Sequence, residues 1–244
     1  MDEGLIMAFV AFALGGVLKG AIGAGTPVIA VPIMSLYYGV PFAVSVFAIP
    51  AFLSNIWQLW QFRADLMPRR FVLPLTFGAG VGAALGTVML AGLSGRVLMM
   101  VVAGLALIYV AFRIRRPGWS LQHGMATKIA APVGVGCGIL QGAAGISAPL
   151  SISFISALGL SRPGFIATIS ALFMAMSIVQ IPSLWAVGLL TPERAGISLM
   201  ACLPLFAGMP LGEWLARFIS RDSFDKIVMA LLTLIALRLF WEAI

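Results

Sequence analysis

The sequence predicts an all-α polytopic membrane protein built from two inverted-topology repeats, each a broken helical hairpin followed by three spanning helices. Three observations carry this expectation. The 244 residues are 61% hydrophobic and only 9% charged, with a mean hydropathy of +1.10, whereas soluble domains carry about 25% charged residues. The apolar residues fall into runs long enough to cross a bilayer, about 20 residues each. A glycine- and proline-broken stretch near the start returns in the second half.

The apolar runs cover 4–22, 26–38, 41–62, 70–92 and 96–113, then 129–144, 147–160, 163–189, 194–219 and 226–244. Between the two sets lies the one substantial polar linker, RIRRPGWSLQHGMATK (Arg113 to Lys128). The expected division is an N-terminal membrane repeat over 1–116, a cytoplasmic linker over 117–127 and a C-terminal repeat over 128–244.

The first run ends in LKGAIGAGTPVIAVPIM (Leu18 to Met34), with a lysine, three glycines and two prolines where a lipid-facing helix would carry none. Its counterpart is LQGAAGISAPLSISFIS (Leu140 to Ser156). At an offset of 122 residues Leu18 meets Leu140, Gly20 meets Gly142, Gly23 meets Gly145 and Pro27 meets Pro149, and further on Gln58 meets Gln180. Later the offset reads as 130: Leu73-Pro74-Leu75 meets Leu203-Pro204-Leu205, Gly78 meets Gly208 and Gly82 meets Gly212. Matched breakers in one order are harder to produce by chance than matched aliphatics, so the chain reads as a duplication.

The short runs 26–38 and 147–160 would extend about 20 Å as helices, less than the ~30 Å hydrocarbon layer. Each pair is therefore expected to meet at a break inside the membrane, where protein or a polar cavity must satisfy the backbone. Thr26 fits an N-cap with Pro27 at the first helical position; Ser147 and Pro149 fit the same roles. Gly23, Gly25 and Gly145 supply backbone freedom at the bends. The result would be amide-rich, positive helix ends suited to an anion. The alternative use of such glycines is close helix crossing, which also fits the Gly78, Gly82, Gly86 stripe.

Arginines and lysines mark the loop 63–70, the linker, the Arg162 turn and the loop 217–226 as cytoplasmic, and leave 92–96 and 190–194 outside. Three spans after each hairpin is an odd number, which turns the second half over relative to the first. Both termini then fall on the outer side, and Met1-Asp2-Glu3 lacks the positive n-region of a secretory signal. The net charge of +7 is scattered over short loops, so it points to topology rather than to nucleic acid.

Candidate binding residues follow. Lys19, on the rim of the break, either meets an anion or snorkels to the interface; its counterpart is Gln141. Asn55, Gln58 and Gln61 share one face of the run 41–62, with Gln180 matching Gln58; they either bind a polar substrate or join helices. Ser54, Ser177 and Ser183 are candidates for the same cavity. Glu213 is a proton-coupling candidate, or else an i, i+4 partner of Arg217; Arg238 and Glu242 form a similar pair. Cys137, Cys202 and His123 have no metal or catalytic spacing around them, so no cofactor, metal or enzymatic activity is expected. No nucleotide-binding motif is present in the sequence.

The motif GAIGAGTPVIAVPIM, its partner GAAGISAPLSISFIS, the repeated Leu-Pro-Leu and the chain length together resemble the sulfite exporter TauE/SafE family. The resemblance covers essentially the whole chain. It implies a multi-pass permease of the bacterial inner membrane that moves sulfite, sulfonates or related organosulfur anions. The expectation is a secondary transporter working by alternating access. The set Lys19, Gly23, Gly25, Thr26, Asn55, Gln58, Gln141, Gly145, Ser147 and Gln180 would surround the anion between opposed helix N-termini near the midplane. An anion channel, or a non-transporting membrane assembly or regulatory subunit, is the alternative. A homo-oligomer is left open.

Overall fold

The computed structural model describes residues 3–115 and 120–216, with positions 218, 233 and 241 beyond them. The predicted span 226–244, the loop 217–226 and the residues Arg217, Arg238 and Glu242 lie outside this range.

Among the described residues the chain forms nine α-helices and no strand: α1 Glu3–Ile22, α2 Thr26–Tyr38, α3 Val40–Phe62, α4 Arg69–Gly92, α5 Gly95–Arg115, α6 His123–Ala144, α7 Ala148–Ser156, α8 Arg162–Ala186 and α9 Pro192–Leu215. A single 3₁₀ turn, Arg63–Asp65, follows α3. Five of them (α1, α3, α4, α8 and α9) are long and apolar enough to cross a bilayer. The long uninterrupted runs thus fold as helices of spanning length, as their apolar length dictates. The surface agrees: Phe77 is 76% exposed and Leu203 74%, side chains that lipid, not water, would solvate. α6 starts earlier than the apolar run at 129, so the tail of the polar linker is already helical.

The two broken pairs are antiparallel hairpins with arms of unequal length. Gly4 lies against the Tyr38 ring and Gly15 against Thr26, so α2 runs back along α1. With 20 residues, α1 is about 30 Å long and sufficient to cross. With 13 residues, α2 is about 20 Å long and is not. The chain doubles back so that the short arm begins beside Gly15, partway down α1. The second hairpin repeats the arrangement: α6 has 22 residues, α7 has nine, and the Leu121 amide donates to the Ala157 carbonyl at 2.7 Å, closing the open end.

Glycine decides which helices pair. Gly16 and Gly20 of α1 sit directly on the Leu205 and Met209 carbonyls of α9, while Gly208 and Gly212 of α9 sit on those of Ala13 and Val17. In the other pair, Gly138 and Gly142 of α6 rest on the Ala79 and Ala83 carbonyls of α4, and Gly82 and Gly86 rest on those of Val135 and Ile139. A Cβ at any of these positions would enter a carbonyl, so backbone-to-backbone packing requires glycine here. Residue numbers rise together across both interfaces, so α1 runs parallel to α9 and α4 runs parallel to α6.

These contacts also depart from the 130-residue offset expected for the later sequence match. With α1 and α6 matched at 122, Gly82 occupies the place of Gly208 and Gly86 that of Gly212, an offset of 126 rather than 130. The Leu-Pro-Leu match is thus displaced by about one helical turn. Packing follows the carbonyl each glycine accommodates, and a tripeptide match does not report that.

Between the two pairs lie α3 and α8. They run antiparallel, with Gln58 beside Ser170 and Asp65 beside Gly164. α3 follows the direction of α1: the Phe12 and Phe47 rings stack at 6.5 Å, and Lys19 reaches Asn55. Arg162, at the start of α8, donates to the Gly20 and Ala21 carbonyls at 3.1 Å each. It thereby covers acceptors that the last turn of α1 leaves open, and places a cation at the negative helix end.

Candidate functional site

The site is built where the first bend meets α3. The Gly23 amide donates to the Lys19 carbonyl at 2.7 Å with φ +81°, and Gly25 follows at φ +116°. Both lie in the region that favours glycine, which allows the chain to leave α1 and re-enter helix within three residues. Gly25, not Thr26, is the N-cap of α2, and no side chain caps that end. The expected cap is corrected here: Thr26 is already helical, and its hydroxyl donates to the Gly15 carbonyl at 3.0 Å, pinning the short arm to the long one. Ser147 does occupy the N-cap position of α7 without a capping bond. Its hydroxyl donates to Gln141 Oε1 at 3.1 Å, again bracing one arm against the other. In both copies the hydroxyl serves the hairpin, so the first turn of the short helix keeps its donors unclaimed by side chains.

Lys19 is only 3% exposed. Although α1 is long enough to cross, Lys19 does not snorkel outward; its Nζ donates to Asn55 Oδ1 at 2.6 Å. Asn55, 2% exposed, is oriented by its own Nδ2, which donates to the Ala51 carbonyl at 2.7 Å. Among the described residues no carboxylate bonds the Lys19 ammonium, and an ammonium buried among neutral groups is costly unless something negative joins it.

A cavity opens beside this pair, lined by Lys19, Gly25, Thr26, Asn55, Gln141 and Ser177, with Pro27, Ser54, Ala51, Phe47 and Phe173 completing its wall. It has room for about one water. The 122-residue correspondence runs through it, since Lys19 matches Gln141 and Asn55 matches Ser177. Both hairpins thus contribute to one cavity, and only the first supplies charge. The hydroxyls of Ser54 and Ser177 donate to helix carbonyls at Pro50, 2.6 Å, and Phe173, 3.0 Å, turning oxygen lone pairs rather than protons outward.

Five of the expected residues (Lys19, Gly25, Thr26, Asn55 and Gln141) therefore line the cavity, and Ser54 and Ser177 join them. Gly23, Gly145, Ser147, Gln58 and Gln180 do not. Their structural duties are clear. Gln58 Nε2 donates to the Lys19 carbonyl at 3.1 Å, and Gln180 Nε2 donates to the Gln141 carbonyl at 3.2 Å. Each of these carbonyls also receives the amide of the bend glycine, Gly23 or Gly145. The matched glutamines thus clamp the two bends to α3 and α8 in the same way. Ser183 donates to the Val179 carbonyl and lies outside the cavity. Gln61 is exposed and donates to Glu213 Oε1 at 3.3 Å, so Glu213 lies at a partly exposed end of α9, away from the cavity. Phe47, Ala51 and Phe173 were not expected. The signal was present, because Ala51 matches Phe173 at the 122 offset and both are one turn from the polar pair Asn55 and Ser177.

Comparison with protein families matches residues 7–239 to the family described as sulfite exporter TauE/SafE. Comparison with curated proteins and with solved structures gives no match.

Proposed function

The chain belongs to the sulfite exporter TauE/SafE family, and from that premise we propose that it is a secondary transporter which carries small sulfite- or sulfonate-type anions by alternating access. The observation that carries this reading is the buried Lys19 ammonium. It opens on a cavity shared by both hairpins, beside the uncapped start of α2. A sulfonate or sulfite head is compact and presents three acceptor oxygens. It would take the remaining Nζ protons and the Thr26 amide at the start of α2, since Pro27 has no N–H and the Val28 amide donates to the Gly25 carbonyl, while Gln141 offers a donor from the other half. Phe47 and Phe173 would close over it and keep water from competing.

The antiparallel course of α3 and α8, which correspond in sequence, supports reading the halves as inverted repeats. The paired clamps of Gln58 and Gln180 support the same reading. Rocking of one half against the other about the shared cavity would expose it to each side in turn. The cavity has room for about one water, so seating the anion requires it to widen. In a cell with a negative interior, moving one net negative charge outward is favoured by about 2.3 kcal/mol per 100 mV, so export needs no obligatory partner ion. The setting would be the bacterial inner membrane.

The test is flux in proteoliposomes containing the purified protein, with sulfite, methanesulfonate, sulfate and acetate as probes. Sulfite or methanesulfonate uptake that speeds up when the same anion is preloaded inside is the expected result. Uptake of none of the four, or uptake indifferent to the trans side, would remove the carrier reading.

A further inference from the structure

We infer that Asn55 is a built-in competitor of the transported anion for Lys19, and so sets the affinity of the site instead of adding to it. The inference rests on the transporter reading above and deepens it. Its starting point is which atom Asn55 presents. The side-chain amide donates through Nδ2 to the Ala51 carbonyl, one turn back on its own helix. That bond fixes the orientation, and Oδ1 is left facing Lys19 Nζ at 2.6 Å. An oxygen in that position carries partial negative charge and has nothing to donate, so it cannot bind an anion where it stands.

Space sharpens the conflict. The cavity beside Nζ holds about one water, and the surrounding hydroxyls of Thr26, Ser54 and Ser177 donate their protons to backbone carbonyls. A sulfonate oxygen and Asn55 Oδ1 would have to share the same small volume and the same donor group while repelling each other. The anion therefore enters by displacing Oδ1. The bond from the ammonium to Oδ1 is already charge-assisted, but a full anion adds the Coulomb attraction of two unit charges, so the exchange favours ionised ligands and disfavours neutral ones such as amides and alcohols. The empty site also stays stable, because Oδ1 solvates the ammonium when no anion is present. The second half has Gln141 and Ser177 at the matching positions, with no ammonium to hold, so the device belongs to the first half.

The sign of the effect separates a competitor from an ordinary contact. Methanesulfonate and sulfite binding to the purified full chain is measured by calorimetry, and thermal stability is measured with and without ligand. Asn55→Ala is expected to tighten methanesulfonate binding about tenfold while lowering the melting temperature of the empty protein. Asn55→Leu, closer in volume, gives the same pair of changes if the alanine variant does not fold. Asn55→Asp places a full carboxylate on Lys19; it is expected to raise the melting temperature of the empty protein and weaken binding a hundredfold or more at neutral pH. Weaker binding in both the alanine and leucine variants, or retained binding in the aspartate variant, overturns the inference and leaves the transporter reading intact. A wild-type protein that binds neither probe removes the transporter reading, and this inference with it.

Discussion

Lys19→Gln isolates the charge at the cavity from the packing around it. Glutamine keeps an N–H donor on a shorter chain, able to serve Asn55 Oδ1, and removes the positive charge. The magnitude follows from the surroundings of Nζ. With the anion in hydrogen-bond contact, two unit charges about 4 Å apart at an effective dielectric of about 20 attract by about 4 kcal/mol. Desolvation of both ions offsets a large part of that. The expected net loss is at least tenfold in anion affinity, about 1.4 kcal/mol. Stability of the empty protein should move the other way, or not at all, since a buried ammonium whose bonded partner is a neutral amide carries an uncompensated desolvation cost. Calorimetric titration with methanesulfonate, alongside detergent melting curves without ligand, reads both quantities on one sample. A well-folded Lys19→Gln protein with wild-type affinity would show that the ammonium does not hold the anion, and the cavity would lose its assignment.

Three further outcomes follow from the packing. Gly20→Ala places a Cβ on the Met209 carbonyl and should destabilise the protein by about 1–3 kcal/mol, whereas Gly196→Ala, exposed on α9 with nothing near it, should melt no lower than wild type. Gln180→Leu removes one bond to a bend carbonyl that keeps its helix donor and should cost about 1 kcal/mol; Gln58→Leu removes the matching bond and also the acceptor of the buried Ser170 hydroxyl, so denaturation in detergent should show the larger loss for Gln58→Leu, and an equal or smaller loss would argue against this bonding. Arg162→Gln removes the two contacts to the end of α1, and hydrogen exchange should quicken in the last turn of α1 while leaving the glycine-packed α4 and α6 unchanged.

Much of the fold is legible in the sequence because helix length and helix breaking are local properties. An apolar run of membrane length folds as a helix almost wherever it sits, and Gly23, Gly25 and Gly145 mark the bends through backbone angles that other residues avoid. The identity of the cavity residues was partly legible too, since Lys19, Asn55 and Gln141 are polar where lipid would reject them. Their roles were less so. Thr26 and Ser147 read as caps, yet neither makes a capping bond: the Thr26 hydroxyl donates to the Gly15 carbonyl and the Ser147 hydroxyl to the Gln141 side-chain oxygen, so both brace the first arm. Gln58 and Gln180 read either as ligands or as joints between helices, and their amides donate to the Lys19 and Gln141 carbonyls. The Leu-Pro-Leu match suggested one register, and glycine packing against carbonyls adopts another, about one turn away.

What the sequence determined by itself is the membrane setting, the helical segments of the described range and the two broken hairpins. Each follows from composition or from backbone preference over a few residues. What only the tertiary structure decided is that α1 pairs with α9 and α4 with α6. It also decided that the Lys19 ammonium turns inward onto Asn55, and that both hairpins line one cavity. In a bilayer nearly every helix face is apolar, so hydrophobic periodicity cannot name a partner. The choice falls to where a glycine admits a distant carbonyl and where a buried polar group finds an acceptor, and both are settled between residues far apart in the chain.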